Sequence, residues 1–320
     1  MTPKPGVTGP CSSSVEGQYS PCACATMPVS IGRFAHCGDR RHKGQYTVSD
    51  KRVVVSPSAE ELFALVADKF IIRARKILTR TGQLRVVLTG GETQKRLLEA
   101  LSQHPAVGDL NWNDAIWLLG DERFVEHDSA ERNLEMVQQS FLRPLGVHDE
   151  RVLSAPSIQE AESVDDAAEK YRAHLHAATG GWTGAGPAFD LALVGMGSDG
   201  HVLSVFPGSQ AVAATDPDVV GVPDSPKPPS QRVTLTLPLL NRTSRIWIVA
   251  SGPEKAGAVG LTMAGAAPNE VPVAGVRGTR STKVFIDAEL ADMMPPELIA
   301  HEKVWTAADE RADYIPRALR

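Results

Sequence analysis

From Arg52 onward, short apolar runs alternate with stretches whose apolar residues recur at helical spacing. Arg52–Ser56 (RVVVS) predicts a strand. Ser58 then stands as a helix N-cap with Glu61 three residues on, the pattern of a capping box. The helix that follows, through Ile77, carries Leu62, Leu65, Val66, Phe70, Ile72 and Ile77 along one side. Leu84–Thr89 (LRVVLT) and Asp114–Leu119 (DAIWLL) are continuous apolar runs of the buried-strand type. Thr93–Ser102 and Asn133–Phe141 read as helices, and Ser163–Ala178 as an amphipathic one. Leu191–Val194, Arg232–Leu237, Ile246–Ala250 and Lys283–Ile286 supply further strands, and a helix begins within Pro253–Gly260.

A strand made wholly of Val, Ile and Leu is buried on both faces. Such strands alternating with helices predict an α/β fold, a single Rossmann-like domain with a mostly parallel central sheet flanked by helices. Ligands of such sheets sit outside the carboxyl ends of the strands. Residues 1–48 break the pattern. They are rich in Pro, Gly, Ser, Cys and basic residues, without sustained apolar periodicity. The expected organisation is a disordered extension over 1–48, in which Met27 is a second candidate initiator, and an α/β domain over 49–320.

Composition narrows the function classes. The formal net charge of −5 argues against a nucleic-acid partner, though it leaves room for a local anion site. No apolar run approaches the roughly 18 residues of a membrane span, and the N-terminus lacks the apolar core of a secretory signal. A cytoplasmic protein without membrane partners is therefore expected. The four cysteines, Cys11, Cys22, Cys24 and Cys37, all precede residue 38, so no disulfide is expected in the body of the chain. Cys22, Cys24, His36, Cys37 and His42 match no zinc-binding spacing, and no metal is expected.

Candidate chemistry gathers just after predicted strands. Thr89-Gly90-Gly91-Glu92-Thr93 joins a strand to a helix, where glycines and the helix N-terminus favour an anion. It is neither a Walker loop nor a dinucleotide fingerprint. Gly120-Asp121-Glu122-Arg123 places three charges directly after an apolar strand, costly unless they form a site or an ion-pair network. Gly195-Met196-Gly197-Ser198-Asp199-Gly200-His201 combines a glycine-dense turn with a histidine suited to proton transfer near neutral pH and a carboxylate to orient it. Arg232 and Lys255, at two further strand ends, complete a candidate phosphate clamp.

Together these residues resemble the 6-phosphogluconolactonase family, within the wider glucosamine-6-phosphate deaminase and lactonase group. The family pattern is a strand followed by Ser-Gly-Gly-Ser-Thr-Pro, then Asp-Glu-Arg with a later Ser-Asn. It continues with Gly-Met-Gly-x-Asp-Gly-His-Thr-Ala-Ser-Leu-Phe-Pro-Gly, an Arg before a Thr/Ser-Leu strand, and Gly-x-x-Lys-Ala. This chain has TGGET (89–93), DERFVEHDSAERN (121–133), GMGSDGHVLSVFPG (195–208), RVTLT (232–236) and GPEKA (252–256), in that order over roughly residues 50–290.

The resemblance implies a cofactor-free hydrolase of the oxidative pentose phosphate pathway. Its substrate would be a small-molecule phosphosugar lactone, 6-phospho-D-glucono-1,5-lactone. Apart from the resemblance, a monomer or small homo-oligomer is expected. His201 would be the general base and acid, with Asp199 or Asp121 orienting it. Gly90, Gly91, Thr93, Arg232 and Lys255 would hold the phosphate. Arg123 would assist the phosphate or pair with Glu122. The deaminase pattern instead continues Ile-Ala-Phe-Asn-Glu-Pro after Asp-Gly-His, and Phe206 stands where its supporting Glu would be. Glu92 and Gln94-Lys95 depart from the lactonase pattern, and Val202-Leu203 replace its Thr-Ala. Glu92 would oppose a phosphate unless it faces solvent or pairs with Lys95 or Arg96. These departures keep open a sugar-phosphate-binding protein with altered or absent activity.

Overall fold

The computed structural model describes residues 51–299 except 183 and 185, and the backbone of 304–306. The extension expected over 1–48, with its four cysteines, lies outside the described residues.

Local signals set the first elements. Strand β1 (Arg52–Ser56) leads into helix α1 (Ala59–Thr81), whose start is held by the Glu61 N–H donating to Ser58 Oγ at 3.2 Å. The helix runs past the expected Ile77 and stops at Gly82, in the left-handed conformation. Then follow β2 (Leu84–Leu88), α2 (Glu92–Ser102), β3 (Ala115–Leu119), β4 (Asp121–Arg123), α3 (Asn133–Val137), β5 (Val152–Leu153), α4 (Val164–Thr179) and β6 (Phe189–Val194). The chain continues through β7 (Val219–Val222), β8 (Arg232–Leu235), α5 (Leu237–Leu240), β9 (Thr243–Ala250), α6 (Ala256–Ala264), β10 (Ser281–Asp287), α7 (Ala288–Asp292) and β11 (Val304–Thr306). The expected helix over Asn133–Phe141 is α helical only to Val137 and widens to a π turn over Gln138–Leu142.

Eight strands form one sheet in the order β11-β1-β10-β9-β6-β2-β3-β5, with every pairing parallel. Both faces are covered, as continuous apolar strands require. One face meets α1 and α2 and an aromatic cluster in which Trp117 lies 5.1 Å from Phe141 and 6.1 Å from Phe70, ring centre to ring centre. The other face meets α4 and α6. The Tyr171 hydroxyl, buried in α4, donates to Leu119 O at 2.6 Å and ties that helix to the end of β3.

A second, three-stranded antiparallel sheet, β4-β8-β7, corrects two expectations. Asp121–Arg123 is itself a strand, pairing with β8 through Asp121↔Thr234 and Arg123↔Arg232. Arg232–Leu235 therefore belongs to this small sheet rather than to the central one. It ends before Leu237 because the Thr236 side chain caps α5. Strands this short and this charged carry no alternation from which pairing could be read.

The topology creates the crevice. From β2 the chain moves outward to β3 and β5, and from β6 it moves the other way to β9 and β10. The switch point lies between β2 and β6, where ligands of open parallel sheets bind. The ends of β9, β6, β2 and β3 stand side by side there, about 4.8 Å apart per strand. No helix among the described residues is long and apolar enough to cross a membrane.

The aromatic cluster is expected to dominate one half of the core. Replacing Trp117, which has no exposed surface, by Ala should cost about 3–5 kcal/mol in chemical denaturation. A loss under about 1 kcal/mol would show that the cluster is not a major support of the fold.

Candidate active site

Four strand ends supply one open pocket of about 260 Å³, lined among others by Gly90, Gly91, Thr93, Asp121, Arg123, His201, Arg232 and Lys255. The sequence placed each of these at a site. The structure brings them to the same one.

At the end of β2 the chain turns into α2 through Gly91, whose φ of 96° is open to glycine and strained for other residues. No side chain among the described residues caps this helix, so its first N–H groups are available to an anion at the positive end of the helix dipole. The Lys255 ammonium crosses to this turn, donating to Thr93 Oγ1 at 2.8 Å and to Ser251 O at 3.0 Å. Burial pushes its pKa down, and the nearby Glu254 and Asp287 carboxylates pull it back. Glu92 is exposed at the pocket rim, while Arg96 is engaged by Glu60 at 3.1 Å. The departure at Gln94 has a structural use: its amide, fully buried, donates to Leu193 O and fastens α2 to the end of β6.

At the end of β6, the 195–201 turn folds back on itself, with Gly197 N–H donating to His201 O at 3.0 Å. A Cβ on Gly197 would fall 2.2 Å from the His201 ring, so the close approach needs glycine. His201 Nδ1 lies 2.5 Å from Asp199 Oδ1. The sequence left Asp199 and Asp121 as alternatives for orienting His201, and the bonded one is Asp199. Asp121 is a buried residue of the pocket lining, and its Oδ2 accepts from Ser204 Oγ at 2.7 Å.

With Nδ1–H committed to the carboxylate, the other ring nitrogen, Nε2, carries the basic lone pair, and His201 faces the pocket. Phe206 stacks on the imidazole with ring centres 4.6 Å apart, and the Arg232 guanidinium carbon lies 5.7 Å from the centre of the same ring. A carboxylate at position 206 would sit against the histidine. Here that place is apolar.

One residue of this constellation was not read from the sequence. Lys227, from the proline-rich SPKPPS segment before β8, places Nζ 3.1 Å from Asp199 Oδ2 and 3.3 Å from His201 Nδ1. Asp199 thus sits between an imidazole and an ammonium. Burial raises its pKa, but His201 and Lys227 outweigh that and hold it below the ordinary carboxylate value. The imidazole is lowered first by burial. Asp199 raises it, Lys227 lowers it further, and the net position is below its ordinary value.

The two arginines differ in how they are used. Arg232 is 5% exposed, and it donates to the carbonyls of Lys227 at 3.1 Å, Pro228 at 3.0 Å and Pro229 at 3.1 Å. It therefore holds the segment carrying Lys227 as well as lining the pocket, where the sequence expectation set it on the phosphate. Arg123 does not pair with the Glu122 carboxylate. Its Nη1 donates to Glu131 O at 2.5 Å. Glu122, fully buried, instead accepts the N–H groups of Arg123 (2.8 Å), Asn133 (2.7 Å) and Leu134 (2.9 Å), with Arg132 Nε 3.6 Å away. This buried carboxylate folds the 121–133 loop and so aims Arg123.

Comparison with known proteins agrees with this arrangement. The profile of a family described as Glucosamine-6-phosphate isomerases/6-phosphogluconolactonase matches residues 57–285. A 6-phosphogluconolactonase of Mycobacterium tuberculosis is 35% identical over 245 residues, 76% of this chain and 98% of its own. One of Rattus norvegicus is 38% identical over 208 residues, 64% of this chain and 78% of its own. The solved structure of 6-phosphogluconolactonase from Trypanosoma brucei superposes with a TM-score of 0.64 at 26% identity, covering 77% of this chain and all of the other.

The electrostatics of the His201 group can be read directly by NMR titration. The His201 ring should titrate below the ordinary imidazole value. Lys227→Met removes a cation that favours the neutral ring and should move the titration up. Asp199→Asn removes the anion that favours the charged ring and should move it down. Shifts of the opposite sign would contradict the arrangement.

Proposed function

Because the chain belongs to the glucosamine-6-phosphate isomerase/6-phosphogluconolactonase family, we propose that it hydrolyses 6-phospho-D-glucono-1,5-lactone to 6-phosphogluconate. The observation that carries this reading is the Asp199–His201 pair facing, across one pocket, the uncapped start of α2 with Lys255 on it.

The chemistry needs little more. His201 Nε2 takes a proton from water as the water oxygen adds to the lactone carbonyl carbon. The tetrahedral adduct then expels the ring oxygen, and the imidazolium returns its proton to that oxygen. Asp199 fixes the ring and stabilises the imidazolium while it lasts. The phosphate, remote from the reacting carbon, is held by Gly90, Gly91, Thr93, Arg232 and Lys255, and that binding energy orients the lactone. Arg123 adds positive charge to the pocket lining, and Arg232 also keeps Lys227 in place beside Asp199.

Phe206 argues against amine chemistry in this pocket. Deamination of the related type would use a carboxylate at that position to support the histidine, and the ring packed there has none to offer.

The decisive measurement is production of 6-phosphogluconate from freshly prepared lactone, corrected for spontaneous hydrolysis. His201→Ala should lower kcat by about 10²–10⁴-fold with the fold intact. Wild-type kcat in that variant would overturn the role of His201. Since the neutral imidazole is the active form and its pKa is lowered, the acid limb of kcat/KM should lie below the ordinary histidine value.

The phosphate end is tested separately. Lys255→Ala should act mainly by raising KM. Glu92→Ser should lower KM by a factor of up to about five, the size of an exposed charge interaction. An unchanged KM for Lys255→Ala would remove the phosphate from that end of the pocket.

A further inference from the structure

The pocket occupies the carboxyl ends of the strands. The opposite, amino-terminal edge of the same sheet gathers arginines. Arg73 and Arg80 stand two turns apart on the last part of α1, and Arg85 is the second residue of β2. Arg245 is the third residue of β9, and Arg280 directly precedes β10. The Arg280 N–H donates to Ser244 O at 2.9 Å, and Ser281 is paired with Arg245, so these two arginines are neighbours.

Asp190 is the carboxylate that acts on Arg245 among the described residues, and it accepts the backbone N–H of Arg85 at 2.9 Å. The guanidinium groups are close enough to oppose one another. Burial, then Arg73, Arg280 and Arg80, push Arg245 down to about 10. Arg73 is lowered by burial and by Arg280 and Arg80. Among the described residues, the Arg245 side chain makes a long hydrogen bond, 3.4 Å to Ser244 Oγ, Arg85 makes two of 3.4 Å to Ala188 O and Gln83 Oε1, and the buried Nε atoms of Arg73 and Arg85 have no partner. Beside the cluster opens a cleft of about 710 Å³, lined by Arg280 together with Arg52, Arg277 and Lys283.

A chain with net charge −5 is not short of carboxylates. Among the described residues, Arg73, Arg80, Arg245 and Arg280 repel one another, Asp190 offsets only Arg80, Arg85 and Arg245, and the remaining repulsion opposes folding. A bound multivalent anion relieves it. The guanidinium fork matches phosphate oxygens two at a time. The concave shape suits a compact ligand, and the overall negative charge disfavours an extended nucleic acid. We propose that this edge of the sheet is a binding site for a small polyphosphate group, a di- or triphosphate, separate from the substrate pocket.

The test is calorimetric titration of the full chain with inorganic pyrophosphate and with tripolyphosphate. One equivalent should bind, and Arg245→Gln and Arg280→Gln should each weaken it by about tenfold or more, the value of one charged hydrogen bond. Arg280 is exposed, so that variant should keep both its fold and its lactone hydrolysis. Lys255→Ala, which alters the substrate pocket, should bind pyrophosphate as tightly as the unaltered chain. Absence of binding would overturn the proposal, as would equal affinity in both arginine variants. Loss of binding in Lys255→Ala would assign the anion to the substrate pocket instead. A single-stranded oligonucleotide that displaces tripolyphosphate at equal phosphate concentration and physiological salt would replace the small anion with a nucleic acid.

Discussion

A parallel sheet buried on both faces leaves its strand ends as the place where polar groups can meet a ligand, and the rest of this structure follows from that constraint. The central strands are continuous Val, Ile and Leu because α1 and α2 cover one face and α4 and α6 the other. The functional residues are then displaced to the ends of β9, β6, β2 and β3, which the strand order sets side by side. The switch of direction between β2 and β6 opens the crevice between them. Gln94 and Thr89 close it from below, Gln94 donating to Leu193 O and Thr89 Oγ1 accepting from Gly195 N–H at 3.2 Å. Residues at the ends of two neighbouring strands are thereby held to one geometry.

Within the pocket, charge is arranged by burial and pairing rather than by number. Glu122 is fully buried and is spent on three backbone N–H groups, with Arg132 beside it. Its work is to shape a loop, and breaking that network would leave an uncompensated buried charge. Asp199 is shared between His201 and Lys227, so it orients the imidazole while the ammonium restrains the ring's basicity. Arg232 holds three successive carbonyls of the segment that carries Lys227. The small antiparallel sheet brings that segment against the main site, since β8 pairs with β4 directly after the end of β3.

The two ends of the sheet differ in electrostatic character. At the pocket, basic groups are balanced by Asp121, Asp199 and Asp287. At the opposite edge Arg80, Arg85 and Arg245 share Asp190, while Arg73 and Arg280 add further positive charge beside Arg245. Strand polarity fixes neither arrangement by itself, because backbone dipoles of strands are small. Each is the sum of particular side chains, and the excess at the amino-terminal edge is what calls for an anion.

Local chemistry was legible in the sequence, and long-range pairing was not. Asp199-Gly200-His201 lies within one glycine-rich turn, so the contact of its carboxylate with the imidazole needs no more than the local backbone. The continuous apolar runs of β2, β3 and β6 and the cap at Ser58 likewise act over a few residues, and they predicted the α/β class and the strand ends where chemistry gathers. Family motifs carried the same residues to the same site. The sequence could not choose between Asp199 and Asp121, because Asp121 reaches its partner Ser204 across 83 residues. It gave no sign of Lys227, which joins His201 only when β8 pairs with β4, and it misplaced β8 because four residues ending in a helix cap carry no mark of which sheet they enter. The use of Arg232 on carbonyls and the meeting of arginines from α1, β2, β9 and β10 were decided by tertiary structure alone. Each depends on distances set by sheet order and register, and those are properties of the packed whole rather than of any segment.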